Sequence, residues 1–84
     1  MACVYVLKSL KDGRLYTGST RETAQNRLAI HNRGSVRSTK ARRPFKLVYT
    51  AEFATYTEAK KKELLFKTTR GRKELMRLLS SIQR

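Results

Sequence analysis

Cys3-Val4-Tyr5-Val6-Leu7-Lys8-Ser9-Leu10-Lys11-Asp12-Gly13-Arg14-Leu15-Tyr16-Thr17-Gly18 carries a hairpin pattern. Residues 3 to 7 are rich in β-branched and aromatic side chains. Lys11-Asp12-Gly13-Arg14 follows as a turn whose Asp-Gly pair tolerates positive φ, and Leu15 to Gly18 forms the returning arm. Strand alternation places Tyr5 on one face with Cys3 and Leu7, and Val4 and Val6 on the other. Gly18, inside a strand, marks a close approach of the backbone to another group.

Outward from the hairpin, Ser19-Thr20-Arg21-Glu22 reads as a capping box, which predicts a helix from about Thr20 to Asn32 ended by Gly34. Helical spacing sets Ala24, Leu28 and His31 on one side with Arg27 at its edge, one turn before His31, so the last two reach the same spot. From Arg33 to Lys46 six basic residues occur with no acidic one, and Gly34, Ser35, Ser38 and Pro44 argue for a loop. Phe45, Leu47, Tyr49, Ala51 and Phe53 then alternate with Lys46, Val48, Thr50 and Glu52, which predicts a half-buried third strand. Thr57-Glu58 opens a second helix through about Thr68. Arg70-Gly71-Arg72 breaks it before a third helix that shows Leu75, Leu78, Leu79 and Ile82 at helical spacing, with Met76 beside them. The order β-β-α-β-α-α predicts a single α+β domain over residues 1–84, with a mostly antiparallel three-stranded sheet flanked by helices.

Twenty Lys and Arg against six Asp and Glu give a formal charge of +14, far more than solubility needs, so the expected partner is a polyanion, nucleic acid first. The basic residues are spread over loops and all three helices, with no basic face opposite a Trp/Phe/Leu face, which argues against a membrane surface. Cys3 is the only cysteine, so neither an internal disulfide nor a cysteine zinc site can form. The apolar run Val4 to Leu7 is too short for a signal-peptide core or a membrane span. The expectation is a cytosolic protein, on the nucleoid in a bacterium.

Phenols, an arginine and a histidine suit phosphodiester chemistry, which puts Tyr5, Tyr16, Arg27 and His31 forward; a metal ligand must come from the six carboxylates. Asp12 belongs to its turn, while Glu22, Glu58 and Glu74 fall in or near first helical turns, where a negative charge complements the helix dipole. Glu52 and Glu63 remain, and Glu63 shares the inner side of its helix with Ala59 and Phe66. Two readings of Glu63 stand side by side: an ion pair with Lys60 or Lys67, or a ligand for a hard divalent cation whose shell is completed by water and phosphate oxygens. Tyr5 and Tyr16 read alone are ordinary sheet aromatics. Arg37, Lys40, Arg42 and Arg43 of the basic loop are candidate nucleic-acid contacts, with Lys40, Arg42 and Arg43 read as phosphate contacts that give affinity without sequence information.

The pattern resembles the GIY-YIG endonuclease superfamily, in particular small stand-alone members similar to the N-terminal nuclease domain of UvrC. Cys3-Val4-Tyr5 and Tyr16-Thr17-Gly18 stand for the two tripeptides. Arg27-Leu28, His31-Asn32-x-Gly34, Arg43-Pro44-Phe45-Lys46-Leu47-Val48-Tyr49, Glu58-Ala59 and Glu63 continue the match. The resemblance implies the same β-β-α-β-α-α fold and metal-dependent cleavage of DNA phosphodiesters. By position, Tyr5 would activate or orient the attacking water, Tyr16 would support it, and Arg27 would stabilise charge on the phosphate. His31 would stand near the water or leaving group, and Glu63 would hold a single Mg²⁺ or Mn²⁺. Cys3 and Thr17 replace the motif's glycine and isoleucine, and no asparagine follows Asn32, where fuller nucleases carry a late one.

Two further functions fit parts of the pattern. A non-catalytic nucleic-acid-binding module follows from the charge, and an RNA-binding structural protein from size and charge. Eighty-four residues offer little surface for reading a long site, so high sequence specificity would take a partner or a second copy.

Overall fold

The computed structural model describes residues 1–82. It runs β1 (Ala2–Ser9), β2 (Leu15–Thr20), α1 (Ala24–Asn32), β3 (Phe45–Phe53), α2 (Tyr56–Phe66) and α3 (Thr69–Ile82), with one 3₁₀ turn at Lys40–Arg42. Element order and α+β class are those expected. Both strand pairings are antiparallel and β1 lies in the middle of the order β2-β1-β3.

β1 explains the architecture. Ala2, Val4 and Val6 pack with Ala59 and Phe66 of α2 and Leu75 and Leu79 of α3, while Cys3, Tyr5 and Leu7 pack with Ala24 of α1 and Phe45. A strand covered on both faces buries consecutive residues, so Ala2 through Leu7 are all buried despite their alternation. The hairpin turns at Gly13, whose φ of +74° is open to glycine, and Asp12 accepts from the Arg14 amide at 2.9 Å.

The third strand departs from the expected single apolar face. Leu47 pairs with Leu7 but Tyr49 pairs with Val6, so Val48 is an extra residue, a bulge. The bulge turns Phe45 and Leu47 toward the Tyr5 face and leaves Tyr49 and Phe53 against the Val4 face. One apolar stripe thereby serves both cores.

The helix boundaries also move. Ser19 lies in β2 and caps nothing; Thr23 is the N-cap of α1 and accepts from the Asn26 amide at 3.1 Å. The strand extends through Ser19 because β1 pairs with it as far as Thr20. A side-chain cap does occur at α2: the Thr55 hydroxyl accepts from the Glu58 amide at 3.2 Å and donates to the Glu58 carboxylate at 3.1 Å. Gly34 ends α1 as expected: its φ is +85°, its amide reaches the His31 carbonyl at 3.1 Å, and the Ser35 amide reaches the Ile30 carbonyl at 3.3 Å.

Gly71 does not break a helix. It lies buried inside α3, and a Cβ there would collide with the Leu65 carbonyl oxygen at the end of α2. The chain turns instead at Lys67 and Thr68, and glycine is needed because the two helices touch backbone to backbone. Leu75 and Leu79 face the core as expected and Leu78 packs at its edge; Met76 is exposed, and the Ile82 side chain lies outside the described residues. Among the described residues no helix is long and apolar enough to cross a membrane.

Candidate active site

β1 and α1 bring three of the expected residues into bonding distance. The Tyr5 hydroxyl lies 3.3 Å from Nε2 of His31, and Nε of Arg27 donates to the same hydroxyl at 3.4 Å. This works because Tyr5 sits at the centre of the sheet face that α1 covers, and Arg27 and His31 stand one helical turn apart. Tyr16, across from Leu7 on β2, closes the group with its ring 4.8 Å from His31 and 6.4 Å from Tyr5. The site is closed behind: Tyr5 is 1% exposed and His31 0%, while Tyr16 and Arg27 are half-buried at its outer side.

Gly18 makes room for this arrangement. It pairs with Tyr5, and a Cβ on it would stand 2.5 Å from the Tyr5 hydroxyl and 2.6 Å from Cζ. The close approach expected at Gly18 is thus to the phenol itself.

Electrostatics keep the centre neutral apart from Arg27. Burial pushes the Tyr5 phenol up; the Arg27 hydrogen bond and charge oppose this without outweighing it, and Tyr16 and Glu63 add to the rise. Burial, then the Arg27 charge, pushes the His31 imidazole down. Arg27 itself is held more firmly protonated by its hydrogen bond to Tyr5, against the opposing effect of burial. Only its Nε is engaged among the described residues, so both Nη groups remain for an anion.

Glu63 stands at the edge of β2. It projects from the buried side of α2 and takes a 2.6 Å hydrogen bond from Ser19, the neighbour of Gly18. Lys60 meets both of its oxygens at 3.2 and 3.3 Å, and Lys67 meets Oε2 at 2.9 Å. Burial pushes the carboxyl up, but the bonds from Ser19, Lys67 and Lys60 outweigh it and hold it below the ordinary carboxylate range. The ion-pair reading of Glu63 is therefore realised with both lysines.

Glu63 offers a hard cation one carboxylate, whose oxygens Ser19, Lys60 and Lys67 already occupy. Glu63 is 4% exposed and ionised, and a cation could use it only by displacing the two half-exposed ammonium groups of Lys60 and Lys67. Among the described residues no second Asp, Glu, His or Cys group joins it in a metal-binding cluster, so any further ligands would be water or substrate oxygens. A recess of about 180 Å³ is lined by Tyr16, Thr17, Phe66, Lys67, Arg72 and Met76, among others.

The basic loop divides. Arg37, Lys40 and Arg43 are exposed, with Arg43 Nε donating to the Lys40 carbonyl at 2.9 Å. Arg42 folds back: it pairs with Asp12 at 3.4 Å, reaches the Leu15 carbonyl at 3.5 Å and stacks on Phe45. Asn32 pins the two ends of the loop together, giving to the Phe45 carbonyl at 3.0 Å and taking from the Phe45 amide at 2.6 Å.

Four contributors take roles that the sequence did not assign to them. Ser19 reads in sequence as a cap, Lys60 and Lys67 as ion-pair partners of Glu63, and Thr39 only as the match to a threonine in the family's basic loop. Thr39 is 0% exposed and lies 2.8 Å from Nδ1 of His31.

Element order and antiparallel sheet make this a small α+β domain. The GIY-YIG catalytic domain matches residues 1–76, and the chain belongs to that family. A UPF0213 protein of Bacillus pumilus is 49% identical over 73 residues, covering 84% of this chain and 72% of the relative. A UPF0213 protein of Staphylococcus saprophyticus is 42% identical over 73 residues, covering 86% of this chain and 87% of the relative. The solution NMR structure of a UPF0213 protein from Bacillus halodurans aligns with a TM-score of 0.54 at 35% identity, covering 93% of this chain and 85% of that one. Membership implies a nucleic-acid substrate, and nucleases of this family generally use divalent metal ions.

Proposed function

We propose that this chain is a divalent-metal-dependent endonuclease that hydrolyses phosphodiester bonds of DNA, structure-selective or weakly sequence-selective, acting in repair or processing in the cytosol. The observation that carries the reading is the single hydrogen-bonded chain from Arg27 through Tyr5 to His31, with Glu63 at the neighbouring strand edge.

Arg27 binds two phosphoryl oxygens through its free Nη groups and meets the negative charge that builds there. Tyr5 orients the attacking water and takes its proton while passing its own to Nε2 of His31. Burial favours the neutral phenol and the neutral imidazole at rest, so Tyr5 enters the step protonated. Tyr16 lies tilted against His31, its ring 4.8 Å away. A Mg²⁺ or Mn²⁺ held by Glu63 would neutralise charge on the phosphoryl and leaving oxygens. Arg37, Lys40 and Arg43, with Lys67 and Arg72 beside the recess, supply backbone affinity. Arg42, of the same set, contributes by holding the loop on Asp12.

Purified protein incubated with Mg²⁺ or Mn²⁺ and a panel of flap, bubble, branched and plain DNA tests the reading. Cleavage above a Glu63→Gln control is expected; none on any substrate would sink it. A non-catalytic binding module is the second reading, favoured by the two lysines that already neutralise Glu63. It predicts salt-sensitive binding indifferent to Tyr5→Phe and Glu63→Gln, and strong preference for RNA in competition would point to an RNA partner.

A further inference from the structure

Three threonines stand at N-cap positions of helical turns: Thr23, Thr39 and Thr55. Thr23 and Thr55 use their hydroxyls as caps. Thr39 does not; its hydroxyl makes no capping bond and points inward, 2.8 Å from Nδ1 of His31. The loop has other anchors besides. Asn32 clamps the ends, Ser9 donates to the Arg42 carbonyl at 2.6 Å, and Arg42 pairs with Asp12.

Proton bookkeeping gives the contact a direction. The Thr39 hydroxyl has a carbonyl within reach, that of Val36 at 3.3 Å, which can only accept. If Thr39 donates there, its oxygen accepts from Nδ1–H of His31, Nε2 carries the lone pair, and the Tyr5 hydroxyl donates to it. Arg27 Nε–H completes the run at the Tyr5 oxygen. Reversed, His31 would donate from Nε2, and the buried Tyr5 hydroxyl hydrogen would have no acceptor among the described hydrogen bonds. Buried donors are rarely left so, which selects the first direction.

We propose that Thr39 is a positioning residue: it fixes neutral His31 as the Nδ1–H tautomer, so that the Nε2 lone pair faces the Tyr5 hydroxyl, and it ties the basic loop to that centre. The tautomer is a claim about the resting protein, and its catalytic value rests on the nuclease reading above. One hydroxyl then links the segment bearing Lys40 and Arg43 to the proton acceptor, so a shift of the loop is transmitted to His31.

His31 is the only histidine in the chain, so its ring nitrogens can be read without assignment. Long-range ¹H–¹⁵N correlation on ¹⁵N-labelled protein, at a pH where the imidazole is neutral, is expected to show Nδ1 protonated and Nε2 bare in the wild type. Thr39→Val, which keeps the shape and loses the hydroxyl, is expected to shift the ring toward Nε2–H, and Thr39→Ser is expected to retain the wild-type pattern. In the cleavage assay Thr39→Val should fall at least about tenfold, as for partners that orient ligating histidines, with Thr39→Ser restored. An Nε2–H wild type overturns the inference even if Thr39→Val fails to fold. So does a folded Thr39→Val that keeps Nδ1–H. The expected tautomers without cleavage would instead overturn the nuclease reading alone.

Discussion

The Tyr5 hydroxyl and Nε2 of His31 lie 3.3 Å apart although 26 residues separate them. The central strand brings one and the covering helix the other, and the Arg27 side chain reaches the same oxygen. Removing that oxygen is the most direct test of the centre. Tyr5→Phe should keep the apolar packing on Cys3, Leu7 and Ala24, leave DNA binding intact and lower single-turnover cleavage by about 100-fold or more. Cleavage at wild-type rate would remove Tyr5 from the chemistry.

Gly18→Ala probes the same oxygen from the opposite strand. Its new methyl would stand 2.5 Å from the hydroxyl, so the ring must shift and the bonds to His31 and Arg27 must stretch. Overpacking predicts a loss of about 1 to 3 kcal/mol in urea denaturation, together with reduced cleavage.

His31 predicts a pH dependence of stability. Its folded-state pKa is pushed down, so below the ordinary histidine range, near pH 6.5, the unfolded chain takes up a proton that the folded chain resists. Its contribution is complete above that range and is lost as pH falls through it. Chemical denaturation between about pH 5 and pH 7.5 should show this slope, and His31→Gln should abolish it.

Lys60 and Lys67 hold Glu63 at 3.2 and 2.9 Å and compete with any cation for its oxygens. Replacing both by methionine should raise Mn²⁺ affinity in the absence of DNA, read by electron paramagnetic resonance titration, whereas Glu63→Gln should abolish it. Equal Mn²⁺ binding by all three proteins would place the metal elsewhere.

Gly71→Ala separates two ideas by sign. At an open helix position the change stabilises by up to about 1 kcal/mol. Here the methyl meets the Leu65 carbonyl, so the helices must part and thermal denaturation should show net destabilisation of about 1 to 3 kcal/mol.

Much of this was legible in local pattern. The hairpin follows from a β-rich run and an Asp-Gly turn, the face shared by Cys3, Tyr5 and Leu7 from strand alternation, and the pairing of Arg27 with His31 from helical spacing. These depend on residues close in the chain. Errors arose where tertiary contact overrode local preference. Ser19 resembles a cap until β1 claims its backbone, Gly71 resembles a breaker until Leu65 fills the space beside it, and the even alternation of β3 hides the bulge at Val48.

The sequence by itself determined the element order, the strongly basic character and the membership of Tyr5, Tyr16, Arg27, His31 and Glu63 in the family pattern, because periodicity, charge and motif spacing are properties of the chain. Only the tertiary structure decided that Glu63 meets Ser19 at the strand edge under two lysines, that Arg42 turns back onto Asp12, and that Thr39 reaches His31. Those depend on which faces of the sheet each helix covers, and that is settled by packing across the whole domain.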